Sequence, residues 1–334
     1  MANMHYQNYS EASGRFMNLR PDIPTKIGFG DMLFAMKKFI FDKTRAPKGK
    51  LPEVKPELLS SLDTGKKLKF VWFGHSTLLL NLDGQIILVD PVFSNSASPF
   101  VWMNRRYQPS VLSLEQLPPV DVIVISHNHY DHLDKKTIQF FKDQKTEFIV
   151  PLGVGRYLRS WNIRGSQITE LDWDASYSLS GITYTAAPAH HFSGRGLFDY
   201  KKSLWASWII RGESEKVFYS GDSSYSDHFR EIGQRFGPFD LAFIENGQYD
   251  KRWPDSHMMP EQTLQAVIDL KAQKFMPVHW GMFDLAFHRW SEPVERSSRI
   301  AQDRNITMLT PRLGEVVDTG ILQGSVAWWE SMEA

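Results

Sequence analysis

A short stretch of the sequence, SHNHYDHLD at residues 126–134, places three histidines and two aspartates within nine positions. Neutral imidazole and carboxylate groups suit zinc, and they also bind manganese and iron. His127 and His129 are two residues apart, so in extended backbone their side chains point the same way and can bind one ion. Asp131 and His132 begin the next turn and can reach a second ion. The stretch therefore predicts about half of a two-metal site.

Three later stretches also place histidine or aspartate directly after an apolar, strand-like run: APAHHFSGRG, YSGDSS and PVHWG. Polar side chains beyond strand ends are a common way for α/β proteins to build binding sites. Taken alone, the aspartate of YSGDSS would be predicted to make a turn after Ser-Gly. These stretches contain His190 and His191, Asp222 and His279, so they repeat the arrangement of residues 126–134, a buried strand with His or Asp at its end.

The composition excludes several other kinds of chemistry. The 334 residues include no cysteine, which excludes disulfides, thiolate ligands and cysteine nucleophiles and agrees with a cytoplasmic location. The net charge is zero, so no nucleic-acid partner is expected. The first residues lack the basic start and apolar core of a signal peptide, and no apolar run approaches the ~20 residues of a membrane span. A metal site built from nitrogen and oxygen ligands remains.

The elements that position these residues are predicted from residue 68 onward, within a catalytic domain assigned to 57–334. The short β-rich runs KLKFVWFG, TLLLNLDG and QIILVDP are separated by turn signals. DVIVIS at 121–126 is a continuous apolar run, as expected of a strand buried on both faces. KKTIQFFKDQ and PEQTLQAVIDLKA have helical spacing. The mixture predicts two sheets with helices outside, and we find no internal sequence repeat.

Residues 1–56 differ from the rest and are predicted to form an N-terminal arm followed by an amphipathic helix at 28–43. The first fifty residues carry nine Lys/Arg against four Asp/Glu, a local charge of +5. Phe34 and Phe41 lie off the main apolar face of that helix, among lysines. Aromatic side chains beside cations suit a lipid headgroup layer. We therefore expect the helix either to dock on its own domain or to make peripheral membrane contact.

The spacing His127-x-His129-x-Asp131-His132 resembles the metallo-β-lactamase superfamily, which folds as a four-layer αββα sandwich with a metal pair at one edge of its sheets. FGHSTLLL, LVDPVFS, ELDW, HMMPEQ and VHWGMF are further similar to the N-acylphosphatidylethanolamine-hydrolysing phospholipase D branch and its bacterial relatives. The similarity extends from about residue 14 to about residue 318. His129 argues against the flavin-linked di-iron members, which carry a glutamate at that position.

The resemblance implies a complete set of metal ligands. His191 follows Pro-x-x as the ligand of that branch does, and His190 stays the alternative. Two divalent metals are implied, zinc first with manganese or iron as alternatives, and a hydroxide bridging them would be the nucleophile. Two sets of ligands would share one carboxylate: His127, His129 and His191 for the first metal, Asp131, His132 and His279 for the second, and Asp222 between them.

Two of the implied residues are assigned catalytic roles, Asp131 and His257. His257 matches a histidine that the phospholipase branch places near the phosphate, so we expect it to contact the substrate or protonate the leaving group. The neighbouring glutamine of that branch is Ser256 here, which weakens the case for phosphate recognition. Tyr130, inside the histidine cluster, is expected to line the substrate pocket.

Other polar residues at strand ends have supporting or unassigned roles. His75 could orient a ligand or face the site, and Asp90 could accept a hydrogen bond from the far nitrogen of a ligand histidine, unless it only forms a turn before proline. His228 and His288 are predicted to be structural or surface residues. Glu245, at the end of another apolar run, receives no role.

The predicted function is metal-dependent hydrolysis, in the first place of a phosphodiester in a phospholipid of the N-acylphosphatidylethanolamine type. A lactonase or other carboxyl-ester hydrolase could use the same ions, because the metal geometry sets the reaction type and not the substrate. A metal-stabilised regulatory or scaffold protein is the alternative of another class, although a scaffold has no need of an open two-metal site. The neutral charge disfavours a nuclease, and the sequence leaves open whether the protein is an oligomer.

Overall fold

The computed structural model describes residues 8–23, 31, 34, 37, 38, 41–57, 62, 67–321 and 326–332. A two-stranded hairpin, β1 (Tyr9–Ser10) and β2 (Arg15–Phe16), comes first. The strands that follow up to the middle of the chain are β3 (Lys69–Trp72), β4 (Leu78–Leu82), β5 (Gln85–Val89), β6 (Val122–Val124), β7 (Glu147–Pro151) and β8 (Ile168–Leu171). The later strands are β9 (Ser176–Leu179), β10 (Ile182–Ala187), β11 (Ser207–Arg211), β12 (Lys216–Tyr219), β13 (Leu241–Glu245), β14 (Lys274–Val278), β15 (Thr307–Met308) and β16 (Val316–Asp318).

Five α-helices can be bounded among the described residues: α1 (Lys135–Phe140), α2 (Gly155–Ser160), α3 (His228–Arg235), α4 (Pro260–Asp269) and α5 (Glu292–Asp303). Asp134 begins α1 because its side chain accepts a hydrogen bond from the backbone N–H of Lys136. Pro260 and Pro293 stand in the first turns of α4 and α5, where the missing N–H costs nothing.

The strands form two seven-stranded sheets with the same pattern of directions. The orders are β16-β3-β4-β5-β6-β7-β8 and β9-β10-β11-β12-β13-β14-β15. In each sheet three antiparallel pairings are followed by three parallel ones. The pattern repeats in the structure although the sequence gives no sign of a repeat.

The core lies between and outside the sheets, as the continuous apolar runs require. In β6, Val122 and Val124 belong to the cluster between the sheets, while Ile123 packs in an outer cluster with Ile138 of α1. Helices α4 and α5 contact strands of the second sheet. The predicted α/β architecture, an αββα sandwich, is confirmed.

One edge of the sandwich collects the ends of the strands that precede the candidate ligands. Strands β12, β13 and β14 run parallel, and β10 runs in the same direction because two antiparallel pairings separate it from β12. Their carboxyl ends therefore lie at the same edge, as the strand-end argument requires.

The N-terminal residues that can be described contact the sandwich. The N–H of Phe16 donates to the carbonyl of Lys201, and the ring of Phe34 meets Phe287 edge-on with centroids 5.8 Å apart. Most of the predicted helix at 28–43 lies outside the described residues, although Phe34 and Phe41 have helical backbone. None of the described helices is both long and apolar enough to cross a membrane. The predicted boundary between 1–56 and 57–334 stays a prediction.

Candidate metal centre

A first group of donor atoms gathers beyond the ends of β6, β10 and β12. The ligand atoms of His127, His129, His191 and Asp222 all lie within 4.8 Å of one another. Nδ1 of His129 is 2.8 Å from Nε2 of His127 and 3.2 Å from Nε2 of His191. Burial lowers the pKa of His127 and His191 well below its usual range, and lowers that of His129 to about 4. The three imidazoles are therefore neutral, which is the form that binds metals.

A second group lies beside the first and includes one residue more than the sequence assigned to it. Its ligand atoms come from His75, Asp131, His132 and His279 and lie within 4.8 Å of one another. The Oδ2 atom of Asp131 is 3.0 Å from Nε2 of His75, 3.5 Å from Nε2 of His132 and 3.3 Å from Nε2 of His279. His75, predicted to orient a ligand or face the site, thus stands among the donors themselves.

Asp222 joins the two groups. Its Oδ1 is 3.1 Å from Nε2 of His132, and its Oδ2 is 3.2 Å from Nε2 of His279 and 3.6 Å from Nε2 of His127. Burial would protonate this carboxyl, but His132 and His279 hold its pKa well below the ordinary value. Burial likewise opposes a charge on His279, yet Asp222 and Asp131 raise its pKa to about 10.

The donor set fits divalent cations. Two buried atoms that face each other, Nε2 of His132 and Oδ1 of Asp222, have no well-formed hydrogen bond among the described residues. Leaving such buried atoms unpaired is costly, and a cation between them would satisfy both. A cation would also replace the protons that the carboxylates retain on His132 and His279, so we expect metal binding to release protons.

Asp90 contacts the ring nitrogen of His132 that is turned away from the other donors of the second group. Its Oδ2 lies 2.6 Å from Nδ1 of His132 and accepts a hydrogen bond from the hydroxyl of Tyr219, also at 2.6 Å. The backbone N–H of Ser126 donates to Oδ1 at 2.7 Å. A carboxylate on the far nitrogen of an imidazole fixes which nitrogen points into the site. Asp90 therefore directs Nε2 of His132 toward Asp222.

The backbone is bent unusually at three of these positions. His75, Asp90 and His279 have φ values of 53°, 39° and 66°, in the left-handed region that side chains other than glycine rarely adopt. The N–H of His279 donates to the carbonyl of His75 at 2.9 Å, which ties two of the bent segments together. Residues held in this region cost of order 1–3 kcal/mol each and tend to cluster at functional sites.

Glu245 and His257 form a third cluster that the sequence indicated only in part. Glu245 is fully buried at the end of β13, and its Oε2 lies 2.8 Å from Nδ1 of His257. Its Oε1 accepts the backbone N–H of Met258 at 2.7 Å. Burial raises the pKa of Glu245, while His257 lowers it. The His257 ring stacks on His279 at 4.8 Å and lies 5.3 Å from His191, so it stands over one donor of each group.

The remaining candidates lie at different distances from the donors. His190 is buried but belongs to neither donor group, and its Nε2 is 3.7 Å from Asp255. The hydroxyl of Tyr130 donates to the carbonyl of Arg195 at 3.1 Å, and the guanidinium of Arg195 lies 3.9 Å from the ring centre. Of the adjacent histidines, His191 therefore belongs to a donor group and His190 does not, and the contacts of Tyr130 are with Arg195.

His228 is a buried histidine outside the donor groups. Its Nδ1 is 2.6 Å from the hydroxyl of Ser226, and burial lowers its pKa from 6.5 to about 3. As pH falls below 6.5, His228 becomes protonated in the unfolded chain, but in the folded protein it stays neutral down to about pH 3. This histidine should therefore reduce the free energy of unfolding by about 1.4 kcal/mol per pH unit across that window.

We expect the substitution His228→Gln to remove this contribution. Urea unfolding at several pH values between 6.5 and 4 should give a slope for the wild-type protein that is steeper than that of the variant. All other titrating groups cancel in the difference. Parallel slopes for the two proteins would show that His228 takes up a proton in the folded state.

Comparison with known proteins agrees with this geometry. Residues 85–280 match the family model described as a beta-lactamase superfamily domain. An uncharacterized protein of Mycobacterium tuberculosis is 38% identical over 328 residues, which cover 96% of this chain and 87% of that protein. The N-acyl-phosphatidylethanolamine-hydrolyzing phospholipase D 1 of Caenorhabditis elegans is 31% identical over 263 residues, 73% of this chain and 74% of that protein.

Solved structures show the same fold. A metallo hydrolase of the archaeon Ignicoccus hospitalis superposes with a TM-score of 0.59 at 21% identity, covering 75% of this chain and 98% of the other. The sequence matches, the shared fold and the two buried donor groups at one sheet edge point to the same assignment. The chain belongs to the metallo-β-lactamase superfamily of metal-dependent hydrolases, in the branch that is similar to N-acylphosphatidylethanolamine-hydrolysing phospholipase D.

Proposed function

We propose that the protein is a phosphodiesterase that holds two divalent cations, zinc in the first place, and hydrolyses phospholipid-like diesters. The observation that carries the proposal is the pair of adjoining donor groups, with Asp222 in the first group and also 3.1 Å from His132 and 3.2 Å from His279 of the second. Cations held there would lower the pKa of bound water toward about 7 and polarise the phosphoryl oxygens. The side chains of the protein would hold the cations, orient the ligands and transfer the proton.

The residues of the site have distinct tasks in this proposal. His127, His129 and His191 would hold one cation as neutral imidazoles, and Asp131, His132 and His279 would hold the other. Asp222 supplies a carboxylate to both, and Asp90 fixes the orientation of His132. His75, whose Nε2 lies among the second group, is a further candidate ligand or a hydrogen-bond donor to Asp131.

His257 is placed to move a proton. Glu245 accepts the hydrogen bond of its Nδ1, which leaves Nε2 for the substrate. In its protonated form this nitrogen would donate to the alkoxide that leaves when the P–O bond breaks. The His257 side chain is 13% exposed, against about 1% for the neighbouring rings of His191 and His279, so it stands where a substrate can reach it.

The substrate class is supported by similarity and by chemistry. The curated relative from Caenorhabditis elegans, whose name specifies hydrolysis of N-acyl-phosphatidylethanolamine, covers 73% of this chain. The same arrangement of donors would also open a lactone. A panel of substrates therefore tests the proposal, with metal content measured on the same protein.

We expect hydrolysis of bis-p-nitrophenyl phosphate and of N-acylphosphatidylethanolamine, with release of phosphatidic acid from the lipid, and little turnover of a homoserine lactone. Two metal equivalents per chain should accompany full activity. Faster cleavage of the lactone than of either diester would contradict the proposed substrate class. Absence of bound metal and of all three activities would favour a scaffold protein.

Glu245 is a positioning residue in this proposal, and the substitution Glu245→Gln tests it. The amide keeps the shape of the carboxyl, but it cannot accept from both Met258 and His257 without turning a donor toward one of them. We expect kcat/KM for the diester to fall by about 10- to 100-fold. The loss should fall on kcat more than on KM, because the carboxylate that orients the ring of His257 is gone.

The metal content of the Glu245→Gln variant separates positioning from a structural role. Nδ1 of His279 is 3.9 Å from Glu245, which is too far for a hydrogen bond, so the ligands should keep their places. We expect unchanged metal content and an unchanged unfolding midpoint. Loss of activity in proportion to loss of metal, with kcat per bound metal unchanged, would contradict positioning.

A further inference from the structure

We propose that two loops beside the candidate metal centre form a membrane-docking face for bilayers that contain anionic lipid. The loops comprise residues 98–103 and 196–200, and we call them the rim loops. This inference deepens the proposed function, on which it rests, because it states that the lipid is met at a membrane surface. The face itself can be tested without any catalytic measurement.

Large apolar side chains at the tips of both rim loops lie in water. In the first loop, Phe100, Val101 and Trp102 are 55%, 75% and 71% exposed. In the second loop, Leu197 and Phe198 are 91% and 85% exposed. Single exposed apolar residues are ordinary, but contiguous groups of this size mark an interaction surface.

Hydrogen bonds within each rim loop fix its backbone, so the apolar side chains at the tips stay exposed. In the first loop, the N–H of Ala97 donates to the carbonyl of Asn104, and the rings of Phe100 and Trp102 stack at 5.7 Å. In the second loop, the side chain of Asp199 accepts the backbone N–H groups of Arg195 and Gly196. Both loops therefore present their apolar tips on a fixed frame.

A single groove joins the rim loops to the ligand loop. The groove has a volume of about 1110 Å³, and its lining includes Pro99 and Trp102 from one rim loop and Gly196 from the other. Tyr130, the residue after His129, forms part of its wall. The guanidinium of Arg195 donates to the carbonyl of Asn128 at 2.9 Å, which ties the second rim loop to the donor residues. The groove thus links the rim loops to the loop that carries His127, His129, Asp131 and His132.

The charges around the groove favour an anionic partner. Arg105, Lys135 and Lys136 line it and are exposed, and within the described part of the chain they form no ion pair. With Arg195 the groove is lined by four cations against three carboxylates, of which Asp134 accepts from Thr137 and from Ser94 and Asp199 accepts from Tyr157. Glu115 is the third and is exposed. Cations near a membrane surface attract anionic headgroups, while aromatic and aliphatic tips enter the headgroup layer.

A lipid surface explains the combination better than a second protein would. The apolar tips stand on two separate loops with a groove between them, and exposed cations lie at the groove. A bilayer can accept both tips at once while anionic headgroups meet the cations. The groove then opens toward the layer that would contain the substrate.

Sedimentation with vesicles tests the docking face on the full chain. We would compare vesicles of phosphatidylcholine alone with vesicles that also contain phosphatidylglycerol, at low and at high salt. The wild-type protein should bind the anionic vesicles, and salt should weaken the binding. The double substitutions Phe100→Ser with Trp102→Ser, and Leu197→Ser with Phe198→Ser, should each weaken it by about tenfold or more.

Two control variants make the comparison specific. Ile268 is 44% exposed on α4, which packs on the second sheet, whereas α1 and α2 cover the first sheet next to the groove. The substitution Ile268→Ser should leave vesicle binding unchanged. Phe41, 75% exposed in the separately predicted membrane helix at 28–43, gives a second comparison. A loss in Phe41→Ser that exceeds the loss in both rim variants would overturn the assignment to the rim loops.

The remaining outcomes are equally decisive. The proposal fails if the wild-type protein does not sediment with anionic vesicles at low salt. It also fails if light scattering shows a dimer that the rim substitutions dissociate, because a second copy would then cover the tips. Turnover of soluble bis-p-nitrophenyl phosphate by the rim variants should equal that of the wild type. If vesicle binding is lost while that turnover persists, the docking face is supported; if vesicles bind but no diester is cleaved, only the proposed function fails.

Discussion

The substitution Asp222→Asn should lower kcat for phosphodiester hydrolysis by about a thousandfold or more, the largest effect that we expect from one side chain. Asp222 belongs to the first donor group and also contacts the second, with Oδ1 3.1 Å from Nε2 of His132 and Oδ2 3.2 Å from Nε2 of His279. Asparagine offers one oxygen and turns an NH₂ group toward a ring nitrogen. One of the two contacts is therefore lost outright, and the negative charge that offsets the cations is lost with it.

Metal analysis decides how this loss arises. We expect the Asp222→Asn variant to retain at most about half of the bound metal, because both sets of ligands use the same carboxylate. The exchange Asp143→Asn is a matched control, since the side chain of Asp143 is 87% exposed on the surface. That control should keep full activity and full metal content. Wild-type kcat in the Asp222 variant, at any metal content, would show that Asp222 does not bridge the cations.

The ligand-bearing loops could be predicted because the signal is local in sequence. The spacing His-x-His-x-Asp-His after a buried strand already limits where His127, His129 and Asp131 can point. The stretches that contain His191, Asp222 and His279 could be found because each places a polar residue at the end of an apolar run. The structure brings all seven predicted ligands into two adjoining donor groups. Their roles as ligands stay predictions until metal is measured.

The place of His75 could not be deduced in this way. Its ring reaches the donors because the chain bends at a positive φ and because its carbonyl accepts the N–H of His279, 204 residues later in the chain. Such a pairing depends on the closure of two sheets and leaves no local pattern. The backbone outliers, once known, do identify the segments around the site.

Glu245 had a signal that could have been used. It is the last residue of the apolar run LAFIE, while His279 directly follows its strand and Asp222 follows its own by three residues. Because β12, β13 and β14 are parallel neighbours, a polar residue at the end of the middle strand has to lie at the same edge of the sheet.

The rim loops had no comparable signal in the sequence. Apolar residues are expected in the core, and only the tertiary structure shows that the apolar residues of these loops are exposed.

Helix α5 was not predicted either. Its sequence EPVERSSRIAQD has few large apolar residues, and the buried positions Val294, Ser297 and Ala301 are small. Small residues allow a helix to approach its neighbour closely without producing a strong apolar stripe. The helix is amphipathic through its charged outer face, and its small buried residues pack against α4 and the second sheet.

The substitution His257→Ala should lower kcat on N-acylphosphatidylethanolamine by about 100- to 1,000-fold while leaving both metals in place. The ring stacks on His279 and lies near His191, but it contributes to neither ligand group of the proposed function. Hydrolysis of the lipid would release an N-acylethanolamine alkoxide, a poor leaving group that needs a proton as the P–O bond breaks. With its Nδ1 held by Glu245, His257 is the partly exposed imidazole that can provide that proton from Nε2.

The identity of the leaving group distinguishes proton donation from simple substrate contact. p-Nitrophenolate leaves without protonation, so the His257→Ala loss on bis-p-nitrophenyl phosphate should be at least about tenfold smaller than the loss on the lipid. A residue that only binds the phosphate would affect both substrates equally, chiefly through KM. Equal losses on the two substrates with unchanged metal content would exclude leaving-group protonation by His257.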